Sequence, residues 1–228
     1  MGSSALLLET LAGLSILVVG ESHLALPLNL VNPLVDDLTL RGASVHSVGV
    51  CGAGASDWLK PVQVSCAGER RSNAQGTYQF YGATTIPIMD LVKADKPDVI
   101  VVIVGDAAVA NKALPTSWVW QTTTDLAKAI ASTKTTCVWV GPPWGEESGP
   151  YSKANQRVEY ISSFLARNVS PCVYVDSLKF SRPGEWKTND GQHFNKDGYK
   201  SWSASIVKAL TEIPASGKLK NQTNVASR

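Results

Sequence analysis

The chain has 228 residues, 44% hydrophobic and 18% charged, with a formal net charge of +2 from 21 basic and 19 acidic side chains. That length supports one substantial core, and so slight a charge argues against nucleic acid or an anionic membrane surface as partner. No segment reaches the roughly 18 consecutive apolar residues of a membrane span.

From the N-terminus, residues 1–4 (Met-Gly-Ser-Ser) read as an expression remnant in place of a native targeting segment. Residues 1–14 as a whole read as an extension. The apolar stretch 5–19 carries Glu9 and Thr10, so its end reads as a first strand rather than a signal sequence. Five apolar, β-branched runs follow one another along the chain: 15–19, 44–50, 98–104, 136–140 and 172–175. The third contains Val-Ile-Val-Val-Ile-Val, the continuous apolar pattern of a central strand buried on both faces.

Segments with helical spacing separate these runs: 24–40, 86–94, 117–132, 153–168 and 196–211. The second of them stops at Lys96-Pro97, where proline disfavours helix in the residue before it. Alternating strand and helix predict an α/β fold with a five-stranded parallel sheet. Two stretches depart from the pattern. Residues 58–85 are long, polar and glycine-containing, which reads as a functional or disordered connection. Residues 214–228 lack periodicity and read as a mobile tail, leaving 15–213 as the single domain.

Four cysteines are present, Cys51, Cys66, Cys137 and Cys172, with no Cys-x-x-Cys spacing. With only three histidines in the chain, no zinc site or other cofactor is expected. An even count permits two disulfides, favoured here, which imply an oxidising compartment such as a bacterial periplasm. Four buried thiols in a cytosolic protein are the alternative.

Two short motifs at opposite ends carry the chemistry. Gly20-Glu21-Ser22-His23 ends the first strand, and Asp190-Gly191-Gln192-His193 lies late in the chain. Ligands of open parallel sheets bind beyond the carboxyl ends of the strands, where Ser22 falls. Its backbone N–H opens a helix, a position that favours negative charge. Taken alone, Ser22 reads more readily as an ordinary N-cap of the helix that follows. His193 changes this, because a serine hydroxyl is a weak nucleophile until a base takes its proton. Asp190, three residues earlier, supplies the carboxylate that fixes the tautomer of that base. His23, at a helix start, and His46, inside the second strand, are weaker candidates for the base.

These motifs resemble those of the SGNH/GDSL hydrolase superfamily, over residues 15–210. The resemblance implies a flavodoxin-like sandwich that hydrolyses or transfers acyl esters. It makes Ser22 the nucleophile, His193 the general base and Asp190 its partner. It also makes Gly52, in Gly49-Val50-Cys51-Gly52-Ala53-Gly54, an oxyanion-hole donor beside the Ser22 N–H. A glycine after strand two also lets backbone approach a ligand closely.

The chain departs from the family pattern twice. Glu21 stands where the family has Asp. Ala107, in Gly105-Asp106-Ala107-Ala108, stands where the family has the Asn that donates to the oxyanion. Losing one such donor typically costs about 10²–10³ in rate. Asn111 is the nearest amide in sequence that offers a replacement; two backbone donors, or a weakened relative, are the other readings.

Trp58, Trp144 and Trp186, in expected loops beside the site, are candidates to stack on a sugar face, with ordinary packing the alternative. The Gly-Glu-Ser-His form is similar to SGNH domains that add or remove acetyl groups on bacterial envelope polysaccharides. The expected activity is therefore cleavage of small acyl esters, chiefly O-acetyl, on a saccharide, by an exported enzyme of the bacterial periplasm or cell envelope. An O-acetyltransferase and a non-catalytic carbohydrate-binding domain are the alternatives.

Overall fold

A computed structural model describes residues 11–110 and 115–213. Residues 1–4, read above as an expression remnant, Asn111, and residues 214–228, read as a tail, lie outside the described residues. The five apolar runs form parallel strands: β1 (Ser15–Gly20), β2 (Ser44–Val50), β5 (Val99–Ile103), β6 (Thr136–Val140) and β7 (Val173–Val175). Two further strands, β3 (Gln63–Arg71) and β4 (Tyr78–Thr84), join antiparallel beyond β2. The sheet therefore has seven strands, in the order β4-β3-β2-β1-β5-β6-β7, rather than the five expected.

Residues 58–85 are thus mostly an ordered hairpin. Its strands escape notice because the sequence Gln-Val-Ser-Cys-Ala-Gly-Glu-Arg-Arg has no clean apolar alternation. They are held mainly by ladder hydrogen bonds at an exposed edge, for which composition gives little signal.

Helices cover both faces. On one side α3 (Ile88–Asp95), α5 (Thr116–Ser132) and α6 (Asn155–Asn168) pack against Leu17, Val19, Ile100, Val102 and Trp139. On the other, α2 (Val31–Leu40) and α7 (Lys196–Glu212) pack against Ile16, Val18, Val101 and Val138. Alternate residues of β1 and β5 thus enter opposite cores, as the side-chain period of two requires. All five β5 residues are buried, as the continuous apolar run predicts.

The expected helix over 24–40 is two helices: α1 (Ser22–Ala25) and α2. Pro27 causes the break, since Leu26 before it adopts extended backbone. A short α4 (Asp106–Ala110), not anticipated, follows β5.

Both disulfides are formed, Cys51–Cys66 and Cys137–Cys172. Among the described residues, no helix is long and apolar enough to cross a membrane.

Candidate active site

Register brings the site together. Gly20 of β1 pairs with Gly49 of β2 on one side and Ile103 of β5 on the other. Three adjacent strands therefore end level, and the turns after them carry Ser22, Gly52 and Ala107.

Ser22 is the first residue of α1, half-buried, with its carbonyl accepting a bond from Asn29 Nδ2 at 3.0 Å. Its Oγ lies 2.8 Å from His193 Nε2. The other ring nitrogen of His193, Nδ1, lies 2.7 Å from Asp190 Oδ2. Asp190 Oδ1 accepts the backbone N–H groups of Gln192 at 3.0 Å and His193 at 2.7 Å. Burial alone would raise the Asp190 carboxyl. The bonds from the His193 backbone and ring and from the Gln192 backbone outweigh it and hold the group below its usual range. Gly191 lets this loop fold back on itself, with φ +100°.

Gly52 turns the chain at φ +69°, with open space where a Cβ would stand. Among the described residues, neither the Gly52 nor the Ser22 N–H donates to a backbone carbonyl. The Ala107 N–H is occupied, donating to Glu21 Oε2 at 2.8 Å. Glu21 Oε1 accepts from Gly105 and Asp106 N–H at 2.9 and 2.6 Å. Glu21 is therefore a buried clamp that ties the turn after β5 to the turn bearing Ser22. Burial, then the nearby Asp106 charge, pushes its carboxyl up to about 8 against the pull of those three N–H groups.

Behind His193 lies a second polar cluster that sequence reasoning missed. His23 Nε2 is 2.5 Å from Asp106 Oδ2, and its Nδ1 is 2.9 Å from the Tyr199 hydroxyl. Lys153 Nζ, 0% exposed, donates to the same Asp106 oxygen at 2.6 Å. Burial lowers the His23 imidazole to about 4, so the ring is neutral, with Nε2–H donating to Asp106 and Nδ1 accepting from Tyr199. For Asp106, burial opposes ionisation, yet the Lys153 ammonium and the His23 ring bring it down to about 2. The His23 and His193 rings sit 5.3 Å apart, so the cluster forms the wall against which His193 rests. The one sequence signal for it is an Asp shortly after a fully apolar strand, beyond Val104 and Gly105.

A cavity of about 420 Å³ opens beside the turns after β2 and β5, lined by Gly52, Ala55, Ala107, Trp118 and Val119 among others. The three expected sugar-stacking tryptophans are engaged in packing. Trp58 is fully buried in the core. Trp144, 9% exposed, donates Nε1–H to the Leu178 and Ser181 carbonyls. Trp186 packs edge-on against Phe194 with ring centroids 5.5 Å apart. Large apolar rings gain from burial, as Trp58 and Trp144 do, while Trp186 remains half-buried. His46 lies inside β2, as expected, with Nδ1 hydrogen-bonded to Asp95 and Nε2 3.0 Å from Glu69 Oε1, away from the site.

This fold, one seven-stranded sheet with helices on both faces, has counterparts among solved structures. It is shared with the solved structures of TesA (TM-score 0.59, 16% identity, covering 86% of this chain and 97% of that one) and of the acetyl xylan esterase AlAXEase (TM-score 0.58, 14% identity, covering 86% and 99%). No family model matches the chain. In sequence it is 38% identical over 216 residues to Protein BcsX of Komagataeibacter xylinus, spanning 92% of this chain and 81% of that protein. The chain belongs to the family of that protein.

Proposed function

We propose that this protein is a serine esterase that cleaves small acyl groups, chiefly O-acetyl, from a saccharide. The observation that carries the reading is the continuous hydrogen-bonded path from Ser22 Oγ through His193 to Asp190. Ser22 Oγ attacks the ester carbonyl as His193 Nε2 takes its proton. Asp190 keeps Nδ1 protonated and stabilises the imidazolium that forms. The oxyanion is held by the backbone N–H groups of Ser22 and Gly52 at the opening of α1 and the turn after β2. His193 then returns the proton to the departing alcohol oxygen, leaving an acyl-Ser22 ester. Water, activated by the same base, hydrolyses that ester. A sugar hydroxyl in place of water would make the reaction an acyl transfer.

A saccharide substrate is supported by the likeness to a structure named as an acetyl xylan esterase, and the acyl group is accommodated by the cavity beside Gly52 and Ala107. Two disulfides support an exported, envelope-associated location.

The test is release of p-nitrophenol from p-nitrophenyl acetate by the wild-type chain and by Ser22→Ala. Turnover that falls by roughly 10³-fold or more in the variant is expected. Equal rates in the two proteins would sink the reading and favour a carbohydrate-binding domain that has lost its chemistry, with Ala107 as the cause. Adding a sugar acceptor and assaying for acylated sugar separates the esterase from the transferase.

A further inference from the structure

We propose that Tyr151 is the stacking platform for the sugar ring that carries the ester, on the leaving-group side of the site. This rests on the esterase reading. In that chemistry the alcohol oxygen must lie next to His193 Nε2, which protonates it as it departs. The sugar therefore passes along the imidazole, while the acyl group points the other way, toward the Gly52 and Ala107 cavity. Tyr151 flanks the imidazole. Its ring meets the His193 ring edge-on, with centroids 6.0 Å apart and planes 83° apart, and it stays 55% exposed.

The position of Tyr151 is built rather than incidental. Its N–H donates to the Asp190 carbonyl at 2.9 Å, and Glu146 N–H donates to the Gly191 carbonyl at 2.9 Å. The two loops interlock through Gly149 and Gly191. A Cβ on Gly149 would come within 2.5 Å of Asp190 O, and one on Gly191 within 2.3 Å of Ser148 O. At the end of this loop, Lys153 is anchored on buried Asp106. The segment that carries Tyr151 is thus fixed to the catalytic loop itself, and its ring is preorganised toward whatever occupies the space beside His193.

An exposed aromatic face on a rigid loop suits the apolar C–H face of a pyranose, and the phenol adds a hydrogen-bonding tip. Trp58 and Trp144 are buried and Trp186 is half-buried against Phe194, so Tyr151 offers a more exposed ring than any of the three.

The experiment compares wild type, Tyr151→Ala and Tyr151→Trp on partly acetylated xylo-oligosaccharides and on ethyl acetate, an ester with neither sugar nor aromatic ring. Tyr151→Ala should lower the saccharide-to-ethyl-acetate ratio of kcat/KM about tenfold, through KM, and Tyr151→Trp should restore it. An unchanged ratio overturns the proposal, whether because both rates fall together, which would make Tyr151 a support for His193, or because neither falls. A binding measurement keeps this apart from the esterase reading. In a Ser22→Ala background, calorimetric titration with the same oligosaccharides should show about tenfold weaker binding on adding Tyr151→Ala. If the wild type turns over neither ester, the esterase reading fails, and this titration alone decides the role of Tyr151. Equal binding, or none, overturns it.

Discussion

Glu21 is the residue whose role is least evident from the sequence. There it registers only as a longer stand-in for Asp. In the structure its carboxyl takes up the N–H groups of Gly105, Asp106 and Ala107, the last at the position where an oxyanion-donating Asn is expected. The Ala107 amide is therefore spent on holding the turn and is not a replacement donor. That Ser22, His193 and Asp190 would meet was legible because their types and order form a recognisable set. Asp106, Lys153 and Tyr199 were not, because their partnership depends on packing of segments far apart in the chain.

The clamp has a thermodynamic signature. The Glu21 carboxyl is raised from 4.5 to about 8, so the stability it contributes is complete below pH 4.5 and is lost as pH rises through about 8. His23, lowered from 6.5 to about 4, acts in the opposite sense: its contribution is complete above pH 6.5 and is lost as pH falls through about 4. From 4.5 to 6.5 the two slopes oppose each other. Above 6.5 only the Glu21 slope of this pair remains. Urea denaturation of the wild type should show stability falling with pH in that upper window, by about 1.4 kcal/mol per pH unit at its lower end. Glu21→Gln should remove that component. Parallel slopes in the two proteins would show that Glu21 does not titrate there.

At the scale of elements, the hairpin missed in the sequence turns out to seat the helix that carries Ser22. Gly49 of β2 and Gly68 of β3 are paired across the ladder, and helix α1 lies directly on them. A Cβ at Gly49 would fall 2.1 Å from the Leu24 carbonyl carbon, and one at Gly68 would fall 2.2 Å from the Ala25 carbonyl oxygen. Backbone cannot yield at that range as a side-chain tip would, so both positions must lack a side chain for α1 to lie where it does. Periodicity analysis finds strands by their apolar side chains, and this contact is made by their absence. The sequence therefore showed that Ser22 follows β1 but not what fixes the height of α1 above the sheet. Gly68→Ala should cost about 1–3 kcal/mol by overpacking. By shifting Ser22 away from His193 it should also reduce p-nitrophenyl acetate turnover by as much as about 10²-fold. Denaturation midpoints and initial rates on the same preparation check both. A variant that loses stability but keeps full turnover would show that α1 is positioned from β1 alone.

For the whole molecule, the α/β alternation and the place of the site at the carboxyl edge of the sheet could be read in advance, because buried parallel strands leave continuous apolar runs and level strand ends gather the loops that follow. The two disulfides divide along that same axis. Cys51 immediately precedes Gly52 at the carboxyl edge, and Cys66 lies in β3 beside it. Cys137 lies near the start of β6, and Cys172 directly precedes β7, at the edge remote from Ser22. Their sequence separations of 15 and 35 residues correspond, by loop-closure entropy, to about 3 and 4 kcal/mol of stabilisation. Both double variants, Cys51→Ser with Cys66→Ser and Cys137→Ser with Cys172→Ser, should therefore lower the urea midpoint, the second slightly more. Their effects on rate should separate, since freeing Cys51 loosens the turn that presents the Gly52 N–H, whereas the far pair touches nothing that meets substrate. The expected outcome is a drop in kcat for the first pair alone, measured well below its unfolding transition. Equal loss of rate in both would mean that the disulfides act on the site only through global stability, and that the turn after β2 is held by its own backbone geometry.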